Sequence, residues 1–338
     1  MRGMCWSDLW NVVLVVVGIE VFLVEECRAD DLVKGPFTCH FQRFLKKNEG
    51  TMRFDYGGSL MDKAYLNSYG GKADQETLVN RIPVIFIHGN SDLALDLNDG
   101  IEYHSGWSRS IAYFLGKGYK TSELYAFTYG DRNLTNAANR QHTCTYLQMI
   151  NKFIFAVLKY TNSTQVDIIA HSMGVTLTKR AIIGHTSKDA TCSVGRSLKN
   201  KVRTLIAIAG ASHGLCMCNQ ETSVLMKACG KDHGFYSGSS CNAKFEDGDC
   251  STVRLSQLGC TVKNYSTFLK GLTAVKWKVA DKIVSIWSNS DEVTGHNNFV
   301  WGKKTSHLPG SDTIIVLTNA THHGLKMSTP EIQYLELQ

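Results

Sequence analysis

The chain has 338 residues, with 36 Lys+Arg against 30 Asp+Glu, 43% hydrophobic residues, 4 Pro and 29 Gly. That profile excludes a disordered, collagen-like or small disulfide-knot protein, and the length fits one large α/β unit carrying an embedded insertion. The formal charge of +6 comes from scattered basic pairs such as Lys46–Lys47 and Lys303–Lys304, with no aromatic-interleaved stripe, so nucleic acid is not an expected partner.

In chain order, the first feature is the apolar run Asn11–Val24, interrupted by Gly18 and Glu20 and preceded by Arg2. It is too short and too charged to span a bilayer comfortably, and Cys27 and Ala29 put small residues at −3 and −1 of a cut after Ala29. Residues 1–29 therefore read as a secretory signal, the alternative being an uncleaved anchor. Its removal takes away two basic and four acidic side chains and leaves a charge of +8 and no integral span in the mature chain. The protein is expected to be secreted. Sequons at Asn133, Asn162, Asn264 and Asn319 fit that route.

Residues 30–82 form a mixed leader rich in Gly and aromatics. Beyond it, apolar runs alternate with amphipathic stretches, the signature of βα units around a mostly parallel sheet. Strands are predicted at Val84–His88, Leu124–Thr128, Val166–Ala170, Thr204–Ala209, Lys282–Trp287 and Thr313–Leu317. Helices are predicted at Gly106–Leu115, Gln141–Tyr160, Met173–Ile183 and Pro330–Leu337, the last with Thr329 as N-cap and Pro330 at its first position.

Residues 212–275 break the rhythm as a Cys/Gly/Ser-rich insertion too long for an ordinary connection. Six of the 11 cysteines, Cys216, Cys218, Cys229, Cys241, Cys250 and Cys260, crowd into it. In an oxidising compartment they read as disulfides, with 15 possible pairings; a zinc site is the competing reading, but Cys216-Met-Cys218 lacks the ligand gap. The odd count of Cys39, Cys144 and Cys192 predicts one free thiol or an intermolecular bridge. Glu246-Asp-Gly-Asp249 lacks the spaced ligands of a calcium loop and reads as a solvated turn.

The chemistry centres on Val166-Asp-Ile-Ile-Ala-His171-Ser172-Met173-Gly174, an apolar strand turning sharply at Ser172 into a helix. This is a nucleophile elbow, which needs small residues two before and two after the serine because strand and helix backbones nearly touch. Ala170 and Gly174 meet that need. Gly210-Ala211-Ser212-His213-Gly214 fits the stricter pentapeptide better, yet Ser212 leads into the cysteine-rich insertion and not into a helix, so Ser172 is preferred.

A serine nucleophile needs a base and an acid that orients it, in the chain order Ser, acid, His. Asp291 comes after the strand ending at Trp287, and His322 and His323 lie on the loop after Leu317. Asp291 is the acid, and His322 or His323 the base. The oxyanion hole is expected from the amides of Met173, next to the nucleophile, and of Asn90, in the loop after the first strand, where Gly89 lets the backbone turn inward. His88 and His171 read as braces of these loops.

These residues resemble the class 2 secreted lipases, particularly the branch abundant in nematodes and related to small bacterial lipases. The resemblance covers most of the chain after the signal. It is carried by Ile87-His88-Gly89-Asn90, Tyr129-Gly130, Val166 through Thr176, Ile208 through Cys216, and Ile286-Trp287-Ser288 with Asp291-Glu292-Val293. The segment His322-x-Gly-x-Lys326 resembles that family's catalytic-histidine segment and favours His322 over His323. The resemblance implies an α/β-hydrolase fold, acyl transfer to water, a lipid ester or lipid–water interface as partner, and no cofactor. A secreted lipid-binding protein that has kept the fold but not the activity is the alternative, and it would be marked by loss of Ser, Asp or His.

Overall fold

The apolar runs become strands of one sheet in the computed structural model, which describes residues 33–48, 67–185, 192–219, 221–238, 265–295 and 298–338. The described elements begin with helix α1 (Cys39–Lys47), strands β1 (Ser68–Tyr69) and β2 (Val84–Ile87), helix α2 (Ser108–Gly116) and strand β3 (Leu124–Phe127). Helix α3 (Cys144–Thr161), strand β4 (Val166–His171), helix α4 (Met173–Ile183), strand β5 (Val202–Ile208) and helices α5 (Thr222–Leu225) and α6 (Thr267–Ala274) come next. The chain closes with strand β6 (Lys282–Ser288), a hairpin of β7 (Phe299–Val300) and β8 (Lys303–Lys304), strand β9 (Thr313–Leu317) and helices α7 (His322–Met327) and α8 (Pro330–Leu335).

Every predicted strand is present, with ends moved by at most two residues, and Met173–Ile183 is helical over its predicted span. Among the described residues, seven strands form one sheet in the order β1-β3-β2-β4-β5-β6-β9. Only β1 is antiparallel to its neighbour.

Side chains alternate across each strand, and both faces are covered. On β4 and β5, Ile168, Ala170, Leu205 and Ala207 pack with α1, α3, α4 and α6, through Phe41, Phe153, Leu177 and Leu269. From the other face Ile169, Ile206 and Ile208 pack against Ile111 and Phe114 of α2 and Leu325 of α7. Each fully buried Ile, Leu or Phe contributes roughly 1.5–3 kcal/mol, so this two-sided core fixes the strand register on which the site depends. Thr143 caps the start of α3 by accepting from the Tyr146 amide, and Asn162 ends it in the left-handed region at φ 55.

The cysteines require one correction. Cys144 pairs with Cys192 and Cys218 with Cys229, and Cys39 and Cys216 are disulfide-bonded as well. The odd count outside the cluster therefore does not leave a free thiol among Cys39, Cys144 and Cys192; a count by sequence block misses bridges that leave the block. The signal, Asn264, Cys241, Cys250, Cys260 and Glu246–Asp249 lie outside the described residues. Among the described residues no helix is long and apolar enough to cross a membrane.

Candidate active site

The chain leaves β2 toward β3 on one side and β4 toward β5 on the other, so β2 and β4 flank a topological switch point. Crevices form at the C-terminal ends of such strands. Ser172 stands there at φ 53 and ψ −126, a strained backbone for a serine. It is held by the Ser172 amide donating to the Ile208 carbonyl at 2.8 Å and by helix α4, which starts at the next residue.

Ser172 Oγ lies 2.8 Å from His322 Nε2, and His322 Nδ1 lies 2.9 and 3.0 Å from the two oxygens of Asp291. The carboxylate draws the ring proton to Nδ1 and leaves the Nε2 lone pair to accept from the serine hydroxyl. Asp291 Oδ1 also accepts from the Val293 and Thr294 amides, each at 3.0 Å. Burial alone raises the Asp291 carboxyl, but the hydrogen bond and charge of His322 together with those two amides hold it below its ordinary value. Thus Asp291 stays ionised beside the ring.

His322 is not on a loop, as its sequence context predicts, but opens helix α7, with Thr321 as N-cap accepting from the Gly324 amide. The Thr-x-x-Gly context reads as a turn because glycine in a six-residue helix is a poor propensity signal. His322 is held from two sides: its amide donates to Glu292 at 3.0 Å, and its carbonyl accepts from His171 Nε2 at 3.0 Å. The neighbouring His323 packs its ring 4.2 Å from that of Tyr103.

Around Asn90 the left-handed turn falls at Ser91, φ 65, and not at Gly89. Gly89 is needed for space: a Cβ there would lie 2.8 Å from the Ser172 Cβ. The Asn90 side chain donates to the Ala137 carbonyl at 2.9 Å and accepts from Arg140. Arg140, which the sequence reading missed, also reaches Ser91, Asp131 and the Asn133 carbonyl, tying the loop before α3 to the Asn90 turn. His88 is a neutral brace: burial pushes it down to about 4, its ring stacks 4.1 Å from that of Tyr129, and its Nε2 accepts from the Tyr129 amide.

Asn90, Ser172, Met173 and His322 line one cavity of about 400 Å³. Its remaining wall is mainly apolar, including Leu134, Ala137, Ala211, Leu215, Met226 and Phe235. The described part of the cysteine-rich insertion supplies much of that wall, with Cys218 and Cys229 among the lining residues. Ser212 is buried and absent from the lining; its amide donates to the Thr305 carbonyl at 2.7 Å, and its hydroxyl has no hydrogen-bond partner among the described residues.

At the cavity wall, which His171 and His323 help to line, Asp92, His171 and His323 bring donor atoms within 4.8 Å of one another. Such a donor set suits a metal, but the Asp92 carboxylate already receives the Lys326 ammonium at 2.5 Å, so the site carries its own cation.

Residues 81–335 match the family described as Lipase (class 2). Solved structures are similar to this chain at low identity. A monoacylglycerol lipase of Paleococcus ferrophilus is 13% identical, with a TM-score of 0.43 over 80% of this chain and 96% of its own. An extracellular alpha/beta-hydrolase from a Paenibacillus species is 13% identical, with a TM-score of 0.40 over 76% of this chain and 97% of its own. Naproxen esterase of Bacillus subtilis is 12% identical, with a TM-score of 0.37 over 80% of this chain and 84% of its own. With a mostly parallel sheet flanked by helices and a family match spanning most of its length, this chain belongs to the class 2 lipases, a lipase and esterase type of hydrolase on the α/β-hydrolase fold.

Proposed function

We propose that the protein is a secreted serine ester hydrolase that cleaves lipid carboxylic esters through an acyl-enzyme on Ser172. The observation that carries this reading is the continuous line from Ser172 Oγ through His322 to Asp291, opening into a mainly apolar cavity.

Ser172 Oγ attacks the ester carbonyl while His322 Nε2 takes its proton, and the Asn90 and Met173 amides receive the charge that develops on the carbonyl oxygen. Collapse breaks the bond to the alcohol, which leaves with the proton from His322. Water then repeats the sequence on the acyl-serine and releases the acid. Asp291 holds the ring tautomer throughout and stabilises the imidazolium. The chain and water handle every proton and electron pair, so the reading calls for no cofactor.

Cys144–Cys192 and Cys218–Cys229, together with exposed sequon asparagines at 133, 162 and 319, support an oxidising secretory route. The test is exposure of the secreted chain to a fluorophosphonate, identification of the labelled peptide, and hydrolysis of nitrophenyl esters of short and long acids. Labelling at Ser172 with ester turnover is expected. Lipid binding with neither labelling nor turnover would replace this reading by that of a non-catalytic lipid carrier.

A further inference from the structure

Asn90 and His322 come from opposite ends of the fold, yet in the proposed cycle both address one carbonyl group. Two residues after Asn90 is Asp92, and one helical turn after His322 is Lys326. Lys326 Nζ donates to Asp92 Oδ2 at 2.5 Å, across 234 positions of sequence. Both side chains are buried, and the ammonium lies 5.4 Å above the Trp107 ring. The second oxygen of Asp92 accepts from the Gly106 amide at 3.1 Å, which fixes the plane of the carboxylate. Burial alone raises Asp92, but Lys326 beside it brings it below its ordinary range, so the carboxylate is ionised.

A buried ion pair contributes little net stability, because removing two charges from water offsets most of their attraction; an uncharged pair of similar volume packs as well. What an uncharged pair lacks is a short directional contact between one carboxylate and one ammonium. Here that contact spans from the turn after β2 to α7, the two elements that carry the oxyanion donor and the base. Misplacement of such groups by about 1 Å costs on the order of a hundredfold in rate.

We propose that Asp92 and Lys326 form a positioning pair that sets the spacing between the Asn90 turn and His322. The proposal rests on the ester-hydrolase reading above. Its test is the doubly neutral variant Asp92→Asn/Lys326→Met, which keeps the acceptor for the Gly106 amide and leaves no unpaired buried charge. Thermal midpoint, kcat and KM for a soluble short-chain ester, and inhibition by phenylboronic acid, whose adduct with a serine is tetrahedral, are measured against wild type. The expected result is a folded protein with KM within about twofold, kcat lowered about 10- to 100-fold and boronate affinity lowered in parallel. A merely structural role would lower the midpoint without moving boronate affinity, and a folded double variant with wild-type kcat and boronate affinity overturns the proposal. If the double variant does not fold, Lys326→Arg decides: it keeps the charge but lengthens and broadens the contact, so lowered kcat with a retained midpoint supports the pair and unchanged kcat overturns it. A wild-type chain with neither ester turnover nor fluorophosphonate uptake overturns the enzyme reading, and the proposal with it.

Discussion

Gly174 backs directly onto the His88 carbonyl: a Cβ at Gly174 would lie 2.3 Å from that oxygen and 2.8 Å from the Ile87 carbonyl. At Gly174 helix α4 meets the end of β2 backbone to backbone, and that contact limits the height of Ser172 above the sheet. Gly174→Ala must therefore push the helix away from the strand. A loss of about 1–3 kcal/mol in urea unfolding is expected, as for other overpacked sites, with slower fluorophosphonate labelling of Ser172. An unchanged unfolding midpoint and labelling rate would show that the contact yields without cost.

The two serine motifs separate by the same geometry. Ser172 has a base within hydrogen-bond reach and a cavity in front of it, whereas the Ser212 hydroxyl is buried without a partner among the described residues. Ser172→Ala should remove at least about a thousandfold of ester turnover and all probe labelling. Ser212→Ala should leave both nearly intact. The reverse ranking, read by mass spectrometry of the labelled peptide, would transfer the nucleophile to Ser212.

Adjacent histidines have opposite surroundings. The His322 ring spans Ser172 and Asp291, while His323 packs on Tyr103 and burial pushes it down to about 3. His322→Ala should lose ester hydrolysis by about a thousandfold or more, and His323→Ala should keep most of it. Steady-state kinetics on a soluble ester decide between them, and a larger loss in His323→Ala would reassign the base.

How legible each feature is in the sequence depends on how locally it is encoded. Strand β4 and helix α4 are specified by an apolar run and a small-residue turn within 18 consecutive positions, and the structure has them at Val166–His171 and Met173–Ile183. Strand β1 is two residues long and carries no periodicity to read. Helix α1 is hidden in a leader of mixed composition, although Phe41 and Leu45 share one face at helical spacing and are buried. Asp92 and Arg140 leave no signal, and Lys326 is marked only by its place in the His322-x-Gly-x-Lys326 segment, because a charged residue in a loop or short helix looks solvated until its distant partner is known. The Cys218–Cys229 bridge is one of many pairings open to the cluster, and the choice depends on the backbone path through the insertion.

The buried histidines make stability depend on pH. Burial lowers His88 to about 4 and His142 and His323 to about 3, and takes His171 well below its ordinary value of 6.5. Their folded pKa values lie below those of the unfolded chain, so below pH 6.5 the unfolded chain binds protons that the folded one refuses. Stability present above 6.5 is thus lost as pH falls toward 4, by up to about 1.4 kcal/mol per pH unit for each histidine. Asp92 and Asp291 are held below 3.8, so their contributions persist through this window and fail only at lower pH. Asp167 is shifted the other way, raised by burial against its Arg203 hydrogen bonds, and offsets part of the loss as it takes up a proton in the fold. Urea midpoints at pH 7.5, 6 and 5 should fall steadily, and a flat profile would mean that these rings ionise inside the protein.

The described part of the insertion walls one side of the cavity as a cover. Cys218–Cys229 closes a loop carrying helix α5, and Cys218, Met226, Ala228 and Cys229 of that loop face the cavity. The loop is tied down at both ends: the Ser237 amide donates to the Cys218 carbonyl at 3.0 Å, and the Phe235 amide donates to the Ala228 carbonyl at 2.7 Å. His142, at the foot of α3, donates from Nδ1 to the His233 carbonyl at 2.7 Å and stacks 4.0 Å from Phe268, so the cover also rests on the core. A bridge that only resisted proteolysis would have no reason to line the cavity. Cys218→Ser/Cys229→Ser should leave the circular dichroism of the sheet unchanged, since neither cysteine lies in a strand, while the wall formed by Met226 and Ala228 loosens. Long acyl chains, which extend along that wall, should lose turnover more than short ones, and the ratio of long-chain to short-chain ester hydrolysis should fall severalfold. If both esters keep or lose activity in parallel, the bridge serves as a staple and the selectivity of the cavity is set by Leu134, Ala211 and Phe235 instead.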